Sequence, residues 1–422
     1  MAKAFIKGLR RKLRNLRSKR RQAHIHKLPN EVLLAIFHAG NHDVWKTYEN
    51  KPLTLPTYFN IPFTVVVSHV SAHWRQLAIN DPTLWTNIIA YSPRSINRAE
   101  TYLQRSKECL LDINCDWLWN VTVSMKPLSE SGSIPAGLKS IELLFPLAHR
   151  WRKFSFATCR GAHIDNLAAH LREISTPQLL CLRLLFQNDD SGGLGCPDGS
   201  FLLPSQCQRL RHLEINIRHP DDLPTLSVYQ HVRAVSTTIS TLILRGCVQS
   251  DQNNHNATIE VPSLRTLSIH GCYGTVQTDL VTPTLSVLST PALESLSLHN
   301  LNDLECGNLR RCIEQSLTPK FPALRSLELN HVDIDTNVGC WLTETCPLVA
   351  HLTLSAGNFD NLLHLLSNPD TPHWPELASL RIFSGRAFWM MDEHLVKKFV
   401  STRVRMGLPL AELFMSGRYW DV

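Results

Sequence analysis

Three stretches decide the fold: PSLRTLSIH (262–270), PALESLSLH (291–299) and PALRSLELN (322–330). Each opens on proline and then sets leucine or isoleucine at its third, sixth and eighth positions. The last two of those apolar positions flank one variable residue, which is the alternation of a strand with one buried face. Working outward, the same triplet recurs at Trp151/Phe154/Phe156, Leu179/Leu182/Leu184, Leu210/Leu213/Ile215, Ile239/Leu242/Leu244, Val349/Leu352/Leu354, Leu377/Leu380/Ile382 and Leu410/Leu413/Met415. From one middle member to the next the steps are 28, 31, 29, 25, 29, 31, 25, 28 and 33 residues.

Those steps lie at or slightly above the period of roughly 20 to 29 residues of leucine-rich repeats, which the pattern resembles. Proline introduces six units, at Pro177, Pro262, Pro291, Pro322, Pro347 and Pro375, and breaks the preceding helix or loop before each strand. Cys159, Cys247 and Cys272 fall three residues after the last strand position, where the repeat carries Asn or Cys for a turn. Leu111/Ile113 and Ile141/Leu143 are read as an irregular start of the array, and residues 192–199 as a surface loop. One unit cannot bury its leucines alone; stacked parallel strands close a continuous core and leave alternate side chains open. The expectation is an α/β repeat solenoid, a horseshoe over residues 100–422.

Alternation then names the open face. One row holds Arg183, Glu214, Ile243, Ser268, Ser297, Glu328, Thr353 and Arg381; the next holds Asn216, Arg245, His270, His299 and Asn330. The second row is uniformly able to hydrogen-bond and is the expected target-binding column, with Ile243, Leu185 and Phe383 as an apolar alternative. Arginine makes bidentate charge-assisted bonds and histidine adds charge below about pH 6.5, so an acidic or phosphorylated segment is the ligand class expected there.

Upstream, LPNEVLLAIF (28–37) opens with Pro29 at a helix start and carries Val32, Leu33, Ile36 and Phe37 at helical spacing. An irregular stretch from about Ala39 to Pro62 separates it from a second helical pattern with Val67, Val70, Trp74, Leu77 and Ala78, stopped at Asp81-Pro82. The first piece resembles the Leu-Pro-x-Glu-hydrophobic start of the F-box. Val70, Trp74, Arg75, Leu77, Ala78, Pro82, Leu84 and Trp85 resemble its Val-x-x-x-Trp-Arg and Pro-x-Leu-Trp end. The insert between the halves is long, as in the F-box-like proteins of fungi, and Ser71 stands where the family often has cysteine.

The resemblance implies a small helical module over residues 25–90 that docks on the Skp-type adaptor of a cullin-RING, SCF-type ubiquitin ligase while the repeats hold a target protein. Trp74 and Leu77 are read as core, and Leu28, Pro29, Val32, Leu33 and Ile36 as the adaptor contact. The alternative is a leucine-rich-repeat scaffold or inhibitor unconnected to ubiquitin ligases, its helices only capping the first repeat.

Composition narrows the rest. With 43% hydrophobic and 19% charged residues the chain is globular, and it has no run of about 18 apolar residues to span a membrane. Ten of the first 21 residues are basic, with no acid among them; without them the formal +7 becomes −3. Residues 1–24 therefore form a basic tail, its Ile6, Leu9, Leu13 and Leu16 at helical spacing, open to an acidic partner or nucleic acid. No apolar stretch of roughly 7 to 15 residues follows as in a secretory signal, so a cytoplasmic or nuclear protein with reduced cysteines is expected. No two of the twelve cysteines lie closer than six positions, and His69 and His73 lack the glutamate and third ligand of a zinc site. No nucleophile elbow or phosphate loop is present, so neither an enzyme nor a cofactor is expected.

Overall fold

The computed structural model describes residues 28–49, 62–90, 93–116, 142–158, 161–186, 207–217, 228–246, 258–271, 281–301, 305, 321–332, 334–383, 393–415 and 418–420. The basic tail, Cys159, Cys247, Cys272 and the 192–199 loop lie outside these residues. The chain divides into two compact units, residues 1–88 with 97–111, and residues 89–96 with 112–422.

The first unit is helical. Helix α1 (Asn30–Glu49) is followed by α2 (Phe63–Ser68), α3 (Ala72–Asn80) and a 3-10 turn over Pro82–Trp85. α1 runs ten residues beyond Ala39, so the irregular stretch expected there is helix as far as Glu49. Gly40 does not stop it, because the missing side chain makes room for the Phe63 ring of α2, which occupies the space a Cβ would take. Ser71 caps α3 by accepting from the Trp74 backbone N–H at 3.1 Å. Asp81 ends α3 in an extended conformation and caps the 3-10 turn through the Thr83 N–H at 3.0 Å. The core holds Leu33, Phe37, Val67, Trp74, Ala78, Leu84 and Trp85. Phe37 and Trp74 meet at 5.0 Å between ring centroids, and the Trp85 indole N–H donates to the Ala78 carbonyl at 2.7 Å. Helix α4 (Pro93–Ser106) adds Tyr102, edge-on to Trp85 and hydrogen-bonded to Thr64 at 2.9 Å.

The strands are β1 (Asn87–Ala90), β2 (Leu111–Asp116), β3 (Trp151–Thr158), β4 (Cys181–Phe186), β5 (His212–Ile217), β6 (Thr241–Gly246), β7 (Ile259–Glu260), β8 (Thr266–His270), β9 (Leu288–Ser289), β10 (Ser295–Leu301), β11 (Ser326–Val332), β12 (His351–Ser355), β13 (Ser379–Phe383), β14 (Glu412–Met415) and β15 (Arg418–Trp420). Thirteen of them form one open sheet in the order β1-β2-β3-β4-β5-β6-β8-β10-β11-β12-β13-β14-β15, while β7 and β9 pair separately. From β3 to β14 the ladders are parallel; β15 closes the row antiparallel. Helices return the chain between strands: α5 (Gly161–Glu173), α6 (Val228–Val235), α7 (Val281–Val287), α8 (Thr336–Thr345), α9 (Asp360–Leu366) and α10 (Glu393–Arg405). This is an α/β architecture, and among the described residues no helix is long and apolar enough to cross a membrane.

Every regular triplet from Trp151 onward lies at a strand. Leu267, Leu296 and Leu327 are opposite one another in register and are buried. The prolines do more than end a helix. Leu179, Leu264, Leu293, Leu324 and Leu377 each donate their N–H to the carbonyl three residues back, at 3.0–3.2 Å. Pro177, Pro262, Pro291, Pro322 and Pro375 therefore occupy the second position of a β-turn, where their fixed φ is pre-set. The residue before each is buried as well: Thr176, Val261, Thr290, Phe321 and Trp374. One carbonyl per unit then accepts two successive N–H groups of the next, from Leu180 through Arg211, Ser240, Arg265, Glu294, Arg325 and Ala350 to Ala378. The expected strand at Ile141/Leu143 is not formed: residues 142–144 are helical and lead into a 3-10 turn, Phe145–Arg150. Phe145 packs there edge-on against Trp151.

Candidate functional site

Two surfaces carry the residues singled out in the sequence, and each belongs to its own unit. On the helical unit, the start of α1 splits its apolar stripe in two. Leu33 is fully buried and Phe37 with it, whereas Val32 and Ile36 are 42% and 43% exposed. Pro29 is exposed and Leu28 half-buried. Leu33 is thus core and not contact: positions 33 and 37 face inward together, four residues apart, and positions 32 and 36 face outward together. Val66 and Val70 are exposed on the same unit. His38 Nε2 lies 2.9 Å from Asp81 Oδ2, fixing α1 against the loop after α3.

On the sheet, the expected column is a physical ladder. Asn216 is opposite Arg245, Arg245 opposite His270, His270 opposite His299, and His299 opposite Asn330. All five are half-buried. The acid that organises them comes from the neighbouring row. Glu214, its side chain only 5% exposed, accepts from Arg183 Nε at 2.6 Å and from Arg245 Nε at 3.1 Å. Burial pushes its carboxyl up; His212 and the two guanidiniums more than reverse this and hold it at about 2. His212 Nε2 is 3.9 Å from the carboxylate, farther than either guanidinium.

The network continues into the ladder. Arg245 Nη1 lies 3.4 Å from His270 Nδ1. A guanidinium only donates, so Nδ1 accepts and the imidazole proton sits on Nε2. That Nε2 is 2.9 Å from Ser268 Oγ. His270 stacks on His299, with centroids 3.9 Å apart and planes within 7°. Burial, then His299 and Arg245, depress the His270 imidazole to about 3 against the opposing pull of Glu214. His299 is also held below its ordinary value, by burial first, against the upward pull of Glu328 and with smaller downward contributions from Arg245 and His331. The His270 ring therefore stays neutral well below pH 6.5, which corrects the expectation that it adds positive charge there, and the His299 ring takes up its proton at a lower pH than an ordinary imidazole. Asn330 Oδ1 is buried with no hydrogen-bond partner among the described residues.

Glu214 was legible only as one outward residue among many. The signal that finds it is diagonal: it is opposite Ile243, and Arg245 lies two positions further along that same strand, within reach of a long side chain. The apolar alternative loses a member. Leu185 is fully buried, because β4 abandons alternation and buries Leu184, Leu185 and Phe186 in succession, the habit of a strand covered on both faces. Phe383 is exposed and meets Phe414 at 5.2 Å. Farther along, Glu328 accepts from Ser297 at 3.1 Å, and Arg381 pairs with Glu412 at 3.1 Å.

The two surfaces present open aliphatic side chains on α1 and, on the sheet, a donor-rich guanidinium beside two stacked imidazole rings. No protein-family model matches the sequence, and no curated protein matches it either.

Proposed function

We propose that the protein is a substrate-receptor subunit of an SCF-type, cullin-RING ubiquitin ligase. In this reading the helical unit docks on the Skp-type adaptor and the sheet, taken as a leucine-rich-repeat solenoid, holds a target protein. The chain does no chemistry itself; ubiquitin transfer belongs to the other subunits, in the cytoplasm or nucleus. The observation that carries the reading is the divided stripe of α1. Leu33 and Phe37 satisfy the core, so nothing among the described residues of that unit requires Val32 and Ile36 to be apolar, yet both are open beside Leu28 and Pro29. Exposed aliphatic side chains in a compact set are what a docking helix presents to an apolar groove.

Truncating buried anchors at such an interface costs about 2 kcal/mol, roughly thirtyfold in affinity. The variant Val32→Ala, Ile36→Ala is expected to lose co-purification with the adaptor while keeping the parent's unfolding temperature, because neither side chain is part of the core. Leu28→Ala with Pro29→Ala is expected to do the same. Undiminished adaptor capture by both variants would remove the assignment.

A further inference from the structure

The sheet face is electrically uneven, and its two poles are on known strands. At one pole Arg245 shares the single carboxylate of Glu214 with Arg183, whose bond to it is the shorter. Arg245 uses one N–H on Glu214 and one on His270. A guanidinium has five, so three donors remain without a partner among the described residues. At the other pole, Glu328 receives one hydroxyl, from Ser297, and has no ion-pair partner among the described residues. Between the poles lie the stacked His270 and His299 rings and the small side chains of Ser268 and Ser297.

Register gives the separation. β6 and β11 are three strand steps apart, through β8 and β10. Glu328 pairs with Ser297, which pairs with Ser268 and then Ile243, two positions before Arg245. With strands about 4.8 Å apart and a two-residue offset of about 6.7 Å, the poles stand roughly 16 Å from one another. An extended segment advances about 3.3 Å per residue, so this is roughly five residues of such a chain.

We propose that this face binds an extended segment of a partner protein that carries one acidic and one basic side chain four or six residues apart, the even spacings nearest that length that turn both side chains to the sheet, the acid on Arg245 and the base on Glu328. The inference rests on the reading of the sheet as the target-binding surface and is independent of the adaptor. Opposite charges at a fixed spacing also set direction along the sheet, since a segment laid the other way brings like charges together.

The test is an array of 12-residue Ser/Gly/Thr peptides, each with one Glu and one Arg at every spacing and in both orders, probed with the full-length protein. Binding is expected to peak at a spacing of four or six, in one order only, and to be weak at five, where the two side chains point to opposite faces. It should fall about tenfold when either peptide charge becomes Gln. Double-mutant cycles then assign the poles. Arg245→Gln is expected to abolish the penalty for changing the peptide Glu while leaving the penalty for changing its Arg, and Glu328→Gln the converse. Both substitutions keep polar side chains of similar size, and matching unfolding curves establish that the variants are folded. A flat array, a spacing preference unaltered by both variants, or crossed coupling would overturn the proposal. Adaptor co-purification from the same preparations separates the readings: adaptor capture with a flat array sinks this inference alone, and a spacing peak without adaptor capture sinks only the ligase assignment.

Discussion

At the scale of single residues, the Glu214–Arg245–His270 chain ties stability to pH. His270 titrates at about 3 in the folded protein against an ordinary 6.5. Between those values the unfolded chain binds a proton that the folded one refuses, so stability falls as pH drops from 6.5 toward 3. Glu214, at about 2 against an ordinary 4.5, adds a second loss of the same sign between 4.5 and 2. Denaturant titrations from pH 7.5 to 4 should therefore show declining stability, and His270→Gln should flatten the decline above pH 4.5 and lessen it below, where Glu214 still contributes. An equal slope in parent and variant would mean that the imidazole is not held neutral. None of this was legible in the sequence. The column of Asn216, Arg245, His270, His299 and Asn330 followed from alternation, but the state of its histidines depends on burial and on an arginine one strand away.

At the scale of elements, what could be read depended on whether the signal was local. A strand needs only a few residues of alternation, so β8, β10 and β11 were written in PSLRTLSIH, PALESLSLH and PALRSLELN. Helix α1 was read too short because the stretch from about Ala39 to Pro62 is rich in proline and aromatic residues, and the contact that accommodates Gly40 within the helix, the Phe63 ring against it, lies 23 residues away. The same contact makes a prediction against propensity. Alanine is favoured over glycine in a helix by about 1 kcal/mol, yet Gly40→Ala should lower the unfolding temperature of the helical unit. Adding Phe63→Leu should restore part of it by freeing the space. For the strands, Leu296→Ala opens a cavity between Leu267 and Leu327 and is expected to cost about 2 to 5 kcal/mol by chemical denaturation. Val66→Ala, at an exposed helical position, should change little.

At the scale of the whole molecule, the long sheet is held by neighbours only, each strand bonded to the one before and the one after. Its middle is supported from both sides and its last strand, β15, from one. Hydrogen exchange followed by mass spectrometry should accordingly find the amides of β8, β10 and β11 slowest and those of β14 the first to exchange among the parallel strands. Uniform protection from β3 to β14 would instead mean that the sheet opens as one block. The column of carbonyls that each take two N–H groups has a different consequence. At Leu180, Arg211, Ser240, Arg265, Glu294, Arg325, Ala350 and Ala378 the paired bonds of the seam join main-chain atoms, and the side chains add only exposed contacts: Arg265 with Glu294, Arg211 to the Thr238 carbonyl and Ser240 to the Arg211 carbonyl. Exposed contacts of that kind contribute little to stability, so selection on folding grips these side chains loosely, and their mixture of aliphatic, hydroxyl, acidic and basic types is consistent with that. Descendants of this sequence can therefore vary that edge freely, acquiring or shedding charge beside a fixed scaffold, while the leucines one residue away stay frozen.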